Sequence, residues 1–181
     1  MTNRELIEAY PWLTPTNRWS GKRITDCMGE NGDEGYWPGN LSAHPNYDYE
    51  YTELDEMPLG WRRAFGEEMC AELDGEIKTW PQDMQDEFRI FQIKEKWGSL
   101  RFYTNYTSKE FKRILRKYKN LSETTCINCG EPAKWISRDW ISPYCDICAQ
   151  EDFDHINGSY SAQTPWEEKY IDINEYLSEK E

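Results

Sequence analysis

Two cysteine pairs constrain the fold of this chain more than any other feature of its sequence. Cys126 and Cys129 form one C-x2-C pair, and Cys145 and Cys148 form a second pair after a spacer of 15 residues. That spacing is typical of a four-cysteine zinc site. Four thiolates fill the tetrahedral shell of zinc and leave no position open for water or substrate. The sequence therefore predicts one zinc ion with a structural role.

The residues between the pairs predict a small zinc-ribbon-like hairpin, with strands at 134–137 and 140–144 and a turn at 138–139. A unit this small has little core of its own, so metal binding would supply much of its folding free energy. The alternatives are iron–sulfur ligation and four unrelated reduced thiols. Cys27 and Cys70 lie outside the pattern, and Cys70 is best explained as a small buried hydrophobe.

Hydrophobic periodicity predicts an α+β body ahead of the cysteines. Apolar residues at helical spacing indicate a helix over 60–77, and β-prone runs at 88–94 and 99–105 indicate a hairpin connected by 94–98. Ser108 is a candidate N-cap for a helix at 109–120. We thus expect a small antiparallel sheet with two or three helices. Because aromatic residues make up 15% of the chain, we expect a core rich in rings rather than in aliphatic side chains.

Three regions follow from this pattern. The body with a loop-rich N-terminal segment covers 1–121, the zinc-binding module covers 122–150, and an acidic tail that packs on the body covers 151–181. The net charge of −13 is uneven, because acidic residues dominate 1–88 and 120–181 while basic residues dominate 89–119. Such an acidic chain opposes general binding to nucleic acid through long-range repulsion.

Neither membrane insertion nor catalysis has a sequence signal here. No apolar stretch approaches the roughly 20 residues of a membrane span, and the N-terminus lacks the apolar run of a signal peptide. We therefore expect a cytoplasmic protein with reduced thiols. The two histidines, His44 and His155, lie in no local motif with a nucleophile, and glycine-rich phosphate-binding motifs are absent. We expect a binding protein rather than an enzyme.

An acidic segment at 47–56 is the first candidate binding surface. Alternation of Tyr47, Tyr49 and Tyr51 with acidic residues predicts a half-buried strand. The acidic side chains of this segment would then form a row, provided that the chain stays extended through its second half. They are Asp48, Glu50, Glu53, Asp55 and Glu56. Such a row can stand in for a phosphate backbone in a basic channel. The alternative is a solvated acidic edge that keeps the protein soluble.

The basic helix at 109–120 is the second candidate. Lys112, Arg113, Arg116 and Lys117 lie beside the zinc module and could grip phosphates. The alternative is a face that pairs internally with the acidic arms or contacts an acidic patch on a protein partner. The net charge of −13 favours this second interpretation.

Two segments of the chain resemble a group of small acidic phage and prophage proteins. They are 51–62 (YTELDEMPLGWR), followed by Phe65-Gly66 and Met69-Cys70, and 92–103 (QIKEKWGSLRFY), followed by the cysteine pairs. The resemblance covers most of 45–150. Some proteins of this kind act as anti-CRISPR inhibitors of type II Cas9, but no motif defines their contact residues, so none is carried over.

The resemblance implies a protein that binds Cas9 and blocks its nucleic-acid binding or cleavage stoichiometrically. Cas9 runs its guide and target strands through positively charged channels, and an acidic protein would be steered towards such a surface. Two alternatives stay open. One is a zinc-ribbon regulator that binds nucleic acid through the basic helix, and the other is a phage structural or assembly adaptor.

Overall fold

The computed structural model describes residues 1–16, 23, 51–159 and 164–179. The helices in this part of the chain are α1 (Asn3–Ala9), α2 (Leu59–Trp61), α3 (Glu67–Ile77), α4 (Gln82–Glu87), α5 (Lys109–Ser122), α6 (Asp146–Ser159), α7 (Trp166–Lys169) and α8 (Ile173–Ser178). The strands are β1 (Ile90–Lys96), β2 (Ser99–Thr104), β3 (Trp135–Ser137), β4 (Pro143–Tyr144) and β5 (Tyr170–Asp172). The α+β class is confirmed. The described residues form two separate antiparallel sheets, and they contain more helices than the two or three we predicted.

The predicted helix over 60–77 is present but contains one wide turn. Helix α2 continues through the segment Arg62–Gly66, which has i→i+5 hydrogen-bond geometry, directly into α3. Large apolar residues recur every four positions along this helix, at Trp61, Phe65, Met69, Leu73 and Ile77. That spacing drifts around an ordinary α-helix because an α-turn holds 3.6 residues. A wider turn takes up part of that drift. Trp61, Phe65 and Met69 are accordingly all buried.

The predicted β-hairpin is present, with a tighter turn than expected. Strands β1 and β2 pair in antiparallel register from Ile90↔Thr104 to Lys96↔Ser99. Instead of a connection over 94–98, two residues make the turn. Trp97 has φ 53° and Gly98 has φ 70°. Positive φ at both central positions is the property of a type I′ turn, whose twist matches that of the flanking strands.

Helix α5 begins where the sequence predicts. Ser108 caps it, because the Ser108 hydroxyl accepts a hydrogen bond from the Phe111 amide at 2.9 Å. Phe111, Ile114 and Tyr118 form its buried face. Leu121 does not extend this face, since it is 39% exposed. The last buried residue of α5 is Ser122, one position later. Its hydroxyl accepts a hydrogen bond from the Leu100 amide at 2.9 Å.

The main core lies between the α2–α3 helix, α5 and the β1–β2 hairpin. Rings meet edge to face at its centre, where Phe88 lies 5.5 Å from Trp80 and 5.6 Å from Phe111 between ring centroids. Aliphatic side chains outnumber the rings within this cluster. The core is therefore rich in rings, as predicted, but it is not built from rings in place of aliphatic residues.

The second sheet joins the cysteine-bearing hairpin to the tail. Strand β3 pairs with β4 on one side and with β5 on the other, in the order β4-β3-β5. The tail aromatics also pack here, with Trp166 lying 5.2 Å from Trp135 and 5.1 Å from Phe153. The described tail thus adds a strand to the cysteine-bearing unit, whereas we expected it to pack on the body.

Candidate metal centre

Four cysteine sulfurs converge at one point between β3, β4 and α6. The sulfur atoms of Cys126, Cys129, Cys145 and Cys148 all lie within 4.8 Å of one another, and those of Cys129 and Cys145 are 3.6 Å apart. Four sulfurs bound tetrahedrally at about 2.3 Å from a metal would be about 3.8 Å apart. The cluster therefore has the dimensions of a four-thiolate metal site.

The first pair lies on a tight turn closed by backbone hydrogen bonds. The Gly130 amide donates to the Cys126 carbonyl at 3.0 Å, and the Cys126 amide donates to the Glu131 carbonyl at 2.7 Å. Gly130 has φ 91°, in the left-handed region where a side chain is strained. A glycine at this position therefore lets the turn close directly after the first pair.

The second pair opens helix α6. The Ala149 amide donates to the Cys145 carbonyl at 3.0 Å, so helical bonding starts at the first cysteine of the pair. The Cys148 amide donates to the Cys145 sulfur at 3.5 Å, so the backbone of the pair also orients that sulfur. The Ile127 amide donates to the Pro143 carbonyl at 2.9 Å and so joins the two turns.

The cluster is fixed to the body through helix α2. The Gly60 amide donates to the Ile127 carbonyl at 2.9 Å, and the Trp61 indole donates to the Thr125 carbonyl at 2.9 Å. Trp61 is fully buried. A Cβ atom at Gly60 would lie 2.3 Å from the carbonyl oxygen of Cys126. Only glycine lets the helix approach the cysteine turn this closely.

These cysteines can hold one metal ion, and their surroundings suit a structural role. Cys126 is fully buried, and Cys145 and Cys148 are 9% and 8% exposed. All four ligand positions come from the protein, so a tetrahedral ion held here keeps no open coordination site. Cys70 lies apart from the cluster, on α3 in the main core, where burial raises the pKa of its thiol to about 12. Cys70 is therefore a packing residue, and Cys27 lies outside the described residues.

The acidic candidate surface divides into two parts. Asp48 and Glu50 lie outside the described residues. The second half does not stay extended, because Glu53–Glu56 form a 3-10 turn. Asp55 starts this turn by accepting the Thr52 amide at 2.7 Å.

The three described carboxylates of this segment differ in how accessible they are. Glu53 is 3% exposed and accepts the Thr16 amide at 3.4 Å. Asp55 pairs with Arg62 and accepts the Asn3 side-chain amide at 2.9 Å. Glu56 accepts the Tyr51 hydroxyl at 2.5 Å. The condition for a continuous row of carboxylates through this half, an extended chain, is not met because local capping turns the chain.

The basic candidate surface on α5 also divides. Lys117 bonds Glu68 and Glu72 of α3 at 2.9 and 2.5 Å, and these bonds raise the pKa of Lys117. Arg113 pairs with Glu110 on its own helix. Lys112 and Arg116 instead line a groove between α5 and β2. Two of the four predicted cations are thus engaged internally.

Sequence reasoning missed a set of exposed aromatic side chains on the β1–β2 hairpin and beside it. Phe91 and Tyr103 are each 44% exposed, Trp97 is 65% exposed and Trp140 is 72% exposed. Alternation along β2 could have found Tyr103, which is out of phase with the buried Leu100. Phe91 is in phase with the buried Ile93 and faces outward because the register shifts between Ile90 and Gln92.

Among the described residues, no helix is both long enough and apolar enough to cross a bilayer. A scan against protein-family models, a search of curated proteins and a search of solved structures each return no match.

Proposed function

We propose that the four-cysteine cluster binds one Zn²⁺ ion and that this ion stabilises the fold. Thiolate ligands favour zinc or iron–sulfur clusters over hard cations. The four sulfur atoms lie within 4.8 Å of one another, a spacing that fits coordination of one tetrahedral ion. When bound, zinc would tie the two cysteine turns together and supply folding free energy to a hairpin whose strands hold only three and two residues.

We propose further that the chain acts by binding, in the cytoplasm of a bacterial host, as an inhibitor of Cas9 or a similar defence nuclease. The observation that carries this proposal is the net charge of −13 on a protein whose metal site is closed to substrate. An acidic protein of this kind is suited to occupy a positively charged nucleic-acid channel. Cas9 is proposed as the target because segments 51–62 and 92–103 resemble phage proteins, some of which inhibit type II Cas9.

Two acidic surfaces are candidates for the contact. The first is the segment 48–56, of which Glu56 is the accessible member among the described residues. The second lies on the tail side, where Glu151, Glu167 and Glu168 are exposed on α6 and α7. These helices contact each other through the rings of Phe153 and Trp166, so the exposed carboxylates lie on two neighbouring helices.

Target-DNA cleavage by a purified Cas9–guide complex, with this protein titrated in, tests the proposal. Loss of cleavage near a one-to-one ratio is the expected result, tested across several Cas9 orthologues. Two matched triple charge reversals locate the contact: Asp48, Glu50 and Glu56 to Lys, or Glu151, Glu167 and Glu168 to Lys. Glu53 and Asp55 are left intact because their internal hydrogen bonds hold the fold. Full cleavage at large excess would contradict the inhibitor proposal.

A zinc-ribbon regulator of nucleic acid is the second candidate function. The observation that favours it is the groove between β2 and α5, in which Lys112 and Arg116 join Arg101 and Lys119. A mobility shift of labelled duplex DNA, falling steeply with salt, would support it. Lys112→Gln with Arg116→Gln should abolish that shift, whereas Arg113→Gln should leave it intact because Arg113 is paired within the helix.

A further inference from the structure

The β1–β2 hairpin presents one face to solvent, and that face is basic. The antiparallel register places Gln92, Lys94 and Lys96 of β1 on the same side as Arg101 and Tyr103 of β2. We call these five residues the open face. The opposite side carries the buried Ile93 and Leu100 and packs on the core. The open face thus holds three cations and no carboxylate, on a protein with a net charge of −13.

The strands β1 and β2 carry one carboxylate, that of Glu95. Glu95 alternates to the other side of β1. Its two oxygens accept the Gly98 amide at 2.7 Å and the Trp140 indole at 3.2 Å. Glu95 therefore fastens the hairpin turn to the loop after β3, and it leaves Lys94 and Lys96 without a carboxylate between them on the open face.

Aromatic rings are interleaved with these cations. Phe91, Lys94 and Tyr103 line one shallow depression. Lys94 also borders a groove of about 500 Å³ between Trp97 and Trp140. The charged side chains that line this groove are the cations Lys94, Lys96 and Arg138 and the carboxylates Glu95 and Asp139. Both tryptophans are more than half exposed, at 65% and 72%. Exposed rings and cations thus lie together in two neighbouring depressions that share Lys94, and cations outnumber carboxylates in them.

The tip residue is held in an unfavourable backbone conformation. Trp97 has φ 53°, a left-handed conformation that costs a residue with a Cβ about 1–2 kcal/mol. Asn or Gly is the usual residue at this position of a type I′ turn. The ring lies under the Lys96 ammonium at 4.4 Å, but it is otherwise mostly in solvent. A strained and exposed ring has no evident role in stability, and such outliers often mark functional positions.

We propose that the open face, with Phe91, Trp97 and Trp140, binds single-stranded nucleic acid. Flat exposed rings stack on unpaired bases, and interleaved cations bind the backbone phosphates. A duplex hides its bases from such rings, and its denser phosphates meet stronger repulsion from the acidic remainder of the chain. The proposal concerns a different surface from the acidic patches and does not depend on the inhibitor function.

Fluorescence anisotropy with labelled oligothymidylate of about 12 nucleotides tests the proposal, at about 50 mM salt where electrostatic binding is strong. Saturable binding is expected, with weaker binding to a duplex of the same length. Three phosphate contacts predict that the logarithm of the association constant falls with the logarithm of salt concentration at a slope of about −2. Lys94→Gln with Arg101→Gln should lower the steepness of that slope by about 1.4.

Trp97→Asn separates binding from folding. Asn suits the left-handed turn position, so the melting temperature of the variant should not fall. Loss of one stacking ring should nevertheless weaken binding about 5- to 100-fold. Arg63→Gln is the matched control for charge, because Arg63 lies in the groove beside Met1 and Leu6 and not on the hairpin. It should leave oligothymidylate binding unchanged.

Three results would overturn the proposal. One is the absence of saturable binding to oligothymidylate at this low salt. A second is wild-type affinity in Trp97→Asn, which would show that the ring is not used. The third is binding to the duplex that equals binding to oligothymidylate, or displacement of labelled oligothymidylate by poly-glutamate as effectively as by unlabelled oligothymidylate. Either would indicate a surface for any polyanion, including an acidic protein partner.

Discussion

Gly60→Ala should destabilise the protein because it places a methyl group where the backbone of the cysteine turn already lies. The new Cβ atom would be 2.3 Å from the carbonyl oxygen of Cys126 and 2.5 Å from that of Ile127. A relaxed carbon–oxygen contact needs about 3.4 Å. Helix α2 must therefore move away by about 1 Å, since both contacts are backbone atoms that cannot rotate aside.

The magnitude follows from three effects. Overpacking of this kind costs about 1–3 kcal/mol. The Gly60–Ile127 hydrogen bond of 2.9 Å is stretched beyond bonding range, which leaves polar groups unpaired at a cost of about 1–3 kcal/mol. Alanine returns up to about 1 kcal/mol through its higher helix propensity. The net loss is about 1–5 kcal/mol, equivalent to a melting temperature lower by about 2–20 °C.

Gly75→Ala is the matched control within the same continuous helix. No atom outside the local helix lies within 4 Å of a Cβ at Gly75, and the residue is exposed. The same substitution there should stabilise the protein by about 1 kcal/mol. Thermal unfolding followed by circular dichroism measures both variants, and chelator competition measures metal retention, which should fall only in Gly60→Ala. Equal stabilisation by the two substitutions would refute the close packing of α2 on the cysteine turn.

Two other predictions concern the packing of the body. Trp61→Phe removes the indole donor to the Thr125 carbonyl and should lower the free energy of unfolding in urea by about 1–3 kcal/mol; an unchanged urea midpoint would contradict this. Hydrogen bonds from Lys117 and then Tyr118 lower the pKa of Glu72. The ionised carboxylate therefore adds to the free energy of unfolding above the ordinary pKa of 4.5, and this stabilisation is lost as pH falls through the lowered pKa. Glu72→Gln should therefore cost up to about 1 kcal/mol near neutral pH and nothing in acid, and a cost that persists in acid would contradict this account of the α3–α5 contact.

The elements that the sequence predicts well are those whose cause is local. The cysteine cluster follows from two four-residue turns, and the start of α5 follows from one capping residue, Ser108. The 3-10 turn at Glu53–Glu56 could also have been predicted from the sequence. Thr52 and Asp55 have the spacing of a helix-capping pair. The alternating tyrosines before them favour a strand instead, which would have to end before Thr52 for the turn to form.

The elements that the sequence hides depend on contacts between distant residues. Strand β5 is three residues long and exists because β3 offers it an edge, about 35 positions earlier in the chain. The burial of Glu53 likewise depends on Thr16, far away in sequence. The exposure of Phe91 could be located only once the register showed the shift between Ile90 and Gln92 in β1.

Metal analysis of the purified protein tests the central structural claim most directly. Native mass spectrometry together with elemental analysis should find one zinc ion per chain, and Cys129→Ser should lose it while the urea midpoint falls. Replacement of zinc by cobalt should give the absorption bands of tetrahedral thiolate coordination. A folded protein that carries no metal, or an iron–sulfur cluster in place of zinc, would contradict the assignment of Cys126, Cys129, Cys145 and Cys148 as a structural zinc site.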